Sequence, residues 1–307
     1  RPSALEVCLR MAAALSGYWE WKGYLTEGRQ WLLAVLEVPM PEDPGASLLA
    51  ARAKALSLAA RMVFLQNEKE MAVELSEASI ALWQTLDNPS GLAWALLHRS
   101  WAAHGMGEYE TEKRLCSEGL SLLSPETHPW LYAQILIYLA AAHGFTSEFE
   151  QTHKCYEQSL AIFERLGDKS AIADLLKDQG GLLILEGNYA EAIDGLLRSI
   201  KLCSEMDHKQ YITTGMEWLS YAVGLRKVPD PATAAIYSAQ LRGFTDALMD
   251  EIGMRHWSRT LQFIQVVELH IRSFIDEPTW KTALSQGRSL KLEDAIKLVV
   301  QARNDPA

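Results

Sequence analysis

Trp94, Trp101 and His104 stand at i, i+7 and i+10 of one apolar-periodic run, so they share one helical stripe. Two indoles and an imidazole on one face suit a flat or aromatic ligand, a peptide, or a cation over a ring. The competing reading packs at least one of these Trp residues against a neighbouring element. Arg61, Asp174 and Lys177 are placed to fix the polar ends of a ligand, or else are solvated charges on a wall.

Other chemistries find less support. His104, His128, His143 and His153 contain no i, i+4 pair, and zinc needs three or four convergent ligands; no metal is expected. His143 with Cys155 or Cys116 can be drawn as base and nucleophile, but nothing supplies an orienting third group or an oxyanion hole. Glu148 and Glu150 lie near a helix start, where carboxylates favour the dipole. There is no G-x-x-x-x-G-K-[ST] loop, and Gly180-Gly181 lies in mid-helix. No enzyme activity and no cofactor, ATP included, are expected of these residues. Cys8, Cys116, Cys155 and Cys203 sit far apart in apolar helical patterns, which reads as reduced thiols and a cytoplasmic setting.

Composition bounds the partners. The 307 residues are 49% hydrophobic with a net charge of −10, ample for a core and unfavourable for nucleic acid, which needs clustered Lys and Arg. No apolar run reaches the roughly 20 residues of a bilayer span, so no membrane is expected. The start carries no signal-peptide pattern. It begins at Arg1-Pro2 without Met, which suggests a piece of a longer protein.

The elements that position these side chains come from a 40-residue echo. Gly107-Glu108-Tyr109, Ser147-Glu148-Phe149 and Gly187-Asn188-Tyr189 are 40 apart, with Asn67-Glu68-Lys69 one period earlier. Ala53, Ala93, Ala133 and Ala173 form a second series; Asn88, His128, Asp168 and His208 form a third. A fixed period of this size marks stacked supersecondary units, which usually bind rather than catalyse.

Each period carries two amphipathic runs. Residues 170–186 and 189–206 show three- and four-residue apolar spacing, broken at Gly187-Asn188. The short breaks force antiparallel neighbours. Ser16, Ala60, Ser100, Ala140, Gly180 and Ser220 recur mid-helix, where closely crossing helices need a small side chain. Residues 4–22 and 25–37 make the first pair; the Pro-rich stretch 38–45 lengthens the first period to 44 and reads as a flexible joint. After the break at 224–231, helices are expected at about 232–250, 256–275, 277–286 and 292–302. The expected division is a repeat array over 1–228, then a divergent last repeat and capping helices over 229–307.

Gly187-Asn188-Tyr189-Ala190-Glu191-Ala192-Ile193 resembles the G-[DN]-Y-x-x-A turn of tetratricopeptide repeats in their longer form; Glu112 and Thr152 depart from it where the family prefers Ala. Ala12 through Trp19, Gly23 through Leu32, Leu166-Gly167-Asp168 and Gly287 through Ile296 are similar to the repeat region of bacterial signal-transduction NTPases of the STAND, maltose-regulator-like type. Many of those proteins are transcriptional regulators with a DNA-binding domain. The resemblance implies an all-α, right-handed tetratricopeptide-like solenoid: a superhelix of about six antiparallel helix pairs with a C-terminal helical cap. It also implies a non-enzymatic sensor arm belonging to an attached NTPase domain.

In such repeats the first helices line a concave groove. Matching the family's groove positions gives Arg61 and Phe64; Trp94, Leu97, Trp101 and His104; Gln134, Ile137 and Phe145; Asp174, Lys177 and Ile184; Glu217 and Tyr221. The expected signal is a small molecule, peptide or protein held there. A structural scaffold using convex or end surfaces, with no small ligand, is the alternative. A quorum-peptide receptor would need Asn-rich walls, and none of these candidates is Asn.

Overall fold

The computed structural model describes residues 3–22, 24–252 and 258–304, apart from the side chains of 21 and 258–264. The expected helix start at His256, the Gly23 of the opening motif and the Arg1-Pro2 start lie outside them. Among the described residues there are fifteen helices and no strand. Six pairs come first: α1 (Ala4–Lys22) and α2 (Leu25–Glu37), α3 (Ala46–Leu65) and α4 (Lys69–Thr85), α5 (Pro89–Met106) and α6 (Tyr109–Ser121), α7 (Pro129–Phe145) and α8 (Phe149–Leu166), α9 (Lys169–Glu186) and α10 (Tyr189–Glu205), α11 (Lys209–Leu225) and α12 (Pro231–Ile252). Then follow α13 (Ser258–Arg272), α14 (Glu277–Gly287) and α15 (Leu292–Asn304). The fold class is an all-α solenoid of tetratricopeptide-like helix pairs. Residues 229–307 supply α12 to α15. The α13 helix ends before the expected 275, because its last turn tightens into bonds from Ser273 to His270, Phe274 to Ile271 and Ile275 to Arg272.

The 40-residue echo is a backbone device. Asn67, Gly107, Ser147 and Gly187 adopt φ of 68°, 80°, 62° and 81°. The next N–H then reaches back five residues, from Glu68 to Val63, Glu108 to Ala103, Glu148 to His143 and Asn188 to Leu183, at 2.8 to 3.0 Å. This left-handed closure satisfies the helix's last carbonyls and reverses the chain. In the third series Asn88 and Asp168 cap the next helix, accepting the N–H of Gly91 and Ala171 at 2.9 and 3.0 Å. His208 accepts that of Tyr211 at 3.4 Å, whereas His128 makes no such side-chain bond.

The small mid-helix residues are where the pairs cross. Ser16, Ala60, Ser100, Ala140, Gly180 and Ser220 are all buried. A Cβ on Gly180 would meet Leu196 Cγ at 2.6 Å, so glycine is kept there by packing. The alanine series has a partner series not picked out in the sequence: Ser79, Ser159 and Ser199 donate to the carbonyls of Ala53, Ala133 and Ala173 at 2.7, 2.9 and 2.6 Å. Gly119 holds the equivalent place beside Ala93.

The chain forms two compact units, Arg1–Ile162 and Phe163–Ala307. In the first, Leu9, Trp19, Leu32 and Met62 build a core beneath α1 to α3, and Ile80, Trp83, Leu96 and Leu115 build one beneath α4 to α6. In the second, Ile193, Leu196, Ile200 and Met216 meet Val299 and Ala302 of α15. There α12 and α14 cross with their backbones touching. A Cβ on Gly243 would run into the Leu284 carbonyl, and one on Gly287 into the Gln240 carbonyl.

Candidate functional site

The first unit brings its aromatic side chains together on the first helices of successive pairs. Trp94 and His98 of α5 lie 5.6 Å apart, and His98 and Trp101 4.5 Å apart. Trp130 of α7 stacks on Trp94 at 5.6 Å and 27°, and Tyr138 of α7 tilts against Trp101 at 5.2 Å. The Arg61 guanidinium of α3 lies 4.0 Å from the Trp101 ring centroid and is also paired with Glu20 of α1. The buried Trp101 Nε1 has no acceptor among the described residues.

Beside this ladder lies a cleft of about 400 Å³ between α1, α3, α4 and α5. Ser16, Lys54, Ser57, Trp83, Trp94 and His98 are among its walls, with Asn88 and Ser90 at the α5 N-terminus. Burial, and then the Arg61 charge, push the His98 imidazole down to about 3, so it is neutral. Its Nδ1 is bonded to Ser57 Oγ at 2.7 Å. That contact resembles half of a Ser–His catalytic pair, but an imidazole so depressed is a poor base at neutral pH, and among the described residues no carboxylate orients it.

His104, on the same helix, has contacts of its own. Its Nδ1 meets Glu112 Oε2 at 2.9 Å, and its edge lies 5.2 Å from Phe145, which stacks on Tyr109 at 4.8 Å and 7°. Burial raises the Glu112 carboxyl, with the His104 bond opposing. The residue that joins Trp94 to Trp101 is instead His98, at i+4 from Trp94. The four-residue step was its only signal in the sequence.

The other expected groove residues divide by environment. Phe64 packs its ring against Gly105 of the next pair, and Leu97, Ile137 and Ile184 are core residues. Gln134 is half-buried on α7, and Phe145 is half-exposed. In the second unit Asp174 and Lys177 do meet, at 2.5 Å, with Asp178 at 3.3 Å and the Lys177 ammonium 4.8 Å from the Tyr211 ring. Burial works against the Lys177 charge, yet those two carboxylates hold its pKa well above the ordinary value. Glu217 and Tyr221 are covered rather than open to a groove. Arg242 of α12 lies 2.8 Å from Tyr221 Oη, 3.3 Å from Glu217 and 2.9 Å from Asp246, closing a buried charge cluster. Burial and Glu217 raise the Tyr221 phenol.

The three buried thiols are not activated. Burial raises Cys116, Cys155 and Cys203, the opposite of what a nucleophile needs. His143 is bonded to Glu148 at 2.7 Å, with Lys113 on the same carboxylate. Among the described residues no three His, Cys, Asp or Glu converge as a metal site, and no helix is long and apolar enough to cross a membrane.

No family model matches this sequence, and no curated protein is significantly similar to it. Among solved structures, the chain is similar to the nearly identical TPR-like repeats of a putative kinesin light chain from Podosopora anserina. A single-substitution form of those repeats shows 15% identity and a TM-score of 0.49, over 68% of this chain and 100% of that one. A second structure of the same repeats shows 16% identity and a TM-score of 0.48, over 67% of this chain and 99% of that one. The architecture above rests on the helix pairing itself.

Proposed function

We propose that the chain is a non-enzymatic recognition module, the sensor arm of a larger bacterial regulatory NTPase, acting in the cytoplasm. In this reading residues 1–228 are the repeat array and 229–307 the divergent last repeat and cap. The observation that carries it is the first unit's aromatic ladder beside an open cleft, with an orphaned Trp101 N–H and a guanidinium over the ring. Such a surface holds a small molecule, a peptide or a protein segment. The signal then works only by binding one state of the attached NTPase more tightly than the other.

The test is thermal unfolding against metabolite and peptide libraries, with Trp101→Ala beside the wild type. A ligand of the folded state raises stability by RT ln(1 + [L]/Kd). A compound that shifts the wild type and leaves a folded Trp101→Ala variant unshifted supports the aromatic ladder as the binding surface. A library that shifts neither, with a defined protein partner bound elsewhere, rejects it.

One observation favours the scaffold reading. Val7, Met11, Leu15 and Tyr18 of α1 are exposed by 40, 59, 45 and 49%. Their repeat equivalents in α3, Ala51, Ala55, Ala59 and Met62, are buried beneath the preceding pair. Such an end surface is suited to a protein partner.

A further inference from the structure

We infer that the cleft of the first unit takes a monoanionic aromatic acid, its ring against Trp94 and its carboxylate at Lys54. The inference rests on the recognition reading and adds the ligand's chemical class. Among the described residues Lys54, itself exposed, is the one charged side chain lining the cleft, and it makes no ion pair there. The other cations of the expected groove are matched: Arg61 by Glu20, and Lys177 by Asp174. An ammonium left without a carboxylate, in a chain of net charge −10, is a place where a ligand's negative charge is favoured.

The rest of the cleft has the same polarity. The α5 N-terminus opens onto it through Asn88 and Ser90, and that end of the helix dipole is positive. His98 adds no charge, and its Nδ1 is already bonded to Ser57. Ser16 donates to the Ala13 carbonyl at 2.8 Å. Among the described residues no carboxylate lines the cleft. A cationic ligand would therefore meet repulsion with nothing to balance it. A polyanion such as a nucleoside triphosphate would find one ammonium where several cations are needed.

The apolar walls set the remaining demand. Trp83 lies flat enough under Gly91 that a Cβ there would strike the indole at 2.5 Å, and Trp94 is held by its stack on Trp130. Fixed indole walls favour a planar ring at little ordering cost. A volume of about 400 Å³ lies at the low end of small-molecule sites, roughly 300–1,000 Å³, which suits one or two fused rings better than a peptide chain.

The experiment titrates the whole chain by calorimetry with matched sets of one ring system each: indole-3-acetate, indole-3-acetamide and tryptamine, then phenylacetate, phenylacetamide and phenethylamine. For at least one ring, the acid is expected to bind about tenfold or more tightly than its amide, and the amine more weakly still. Lys54→Met should erase the preference of acid over amide while leaving amide binding intact. Trp94→Ala should weaken both, with circular dichroism confirming that each variant is folded. An amide or amine that binds as well as the acid overturns the inference and leaves the recognition reading standing. An acid preference untouched by Lys54→Met also overturns it. If no compound of either ring binds at millimolar concentration, the inference fails, and the library screen decides the broader reading separately.

Discussion

At the scale of single residues, charge and burial govern. Glu148 is the clearest titrating group outside the cleft. Bonds from Lys113, His143 and Thr146 push its carboxyl down from the ordinary 4.5 to about 2. Because the folded value lies below the unfolded one, the stability it contributes is present above pH 4.5 and is lost as the pH falls toward 2. Glu148→Gln should lower Tm modestly at neutral pH, where the carboxylate's contribution is lost, and flatten the fall of Tm across that window. A wild-type slope retained in the variant would remove Glu148 from the account. Ser199 allows a second test. Its hydroxyl is buried and donates to Ala173 at 2.6 Å, so Ser199→Ala should cost about 1 kcal/mol in urea unfolding, the worth of one buried hydrogen bond.

At the scale of elements, helix crossings set what each position tolerates. Gly243→Ala improves helix propensity by about 1 kcal/mol in isolation. Here the added methyl meets the Leu284 carbonyl of α14. The backbone cannot move aside as a side chain can, so a net loss of about 3 kcal/mol is expected. Gly17→Ala is the contrasting case. It lies in α1 with nothing within 4 Å of a new Cβ, and should gain up to about 1 kcal/mol. Chemical denaturation of the two variants side by side checks both signs. The turns were legible because their cause is local: positive φ at 67, 107, 147 and 187 follows from Asn, Gly or Ser beside a Schellman-type closure.

At the scale of the whole molecule, stacked repeats respond locally to damage, since each pair leans on its neighbours. Ala55 is fully buried between pairs, so Ala55→Asp should strip hydrogen-exchange protection from α2 to α5 and spare α12 to α15. Equal loss along the chain would show one cooperative unit instead. The equivalent change on α1, Met11→Asp, places a charge on a residue 59% exposed and should shift stability by less than about 0.5 kcal/mol.

The amino-acid sequence by itself determined the repeat length, the helix pairs and the small residues at the crossings. Those features depend on backbone preference and on three- and four-residue spacing, which are local and recur with the period. It also put Arg61 and Trp101 at equivalent positions of successive pairs, which face alike, and the two side chains meet. The partners of each side chain were set by other helices. Glu217 and Tyr221 occupy groove positions by register, yet Arg242, arriving from α12, covers them. His104 shares the stripe of Trp94 by spacing, yet the buried Glu112 of α6 draws it into a different cluster. Lys54 and His98 entered the cleft only once α1, α3, α4 and α5 stood around them. Burial is fixed by what packs on a face, and that is a property of residues distant in the chain.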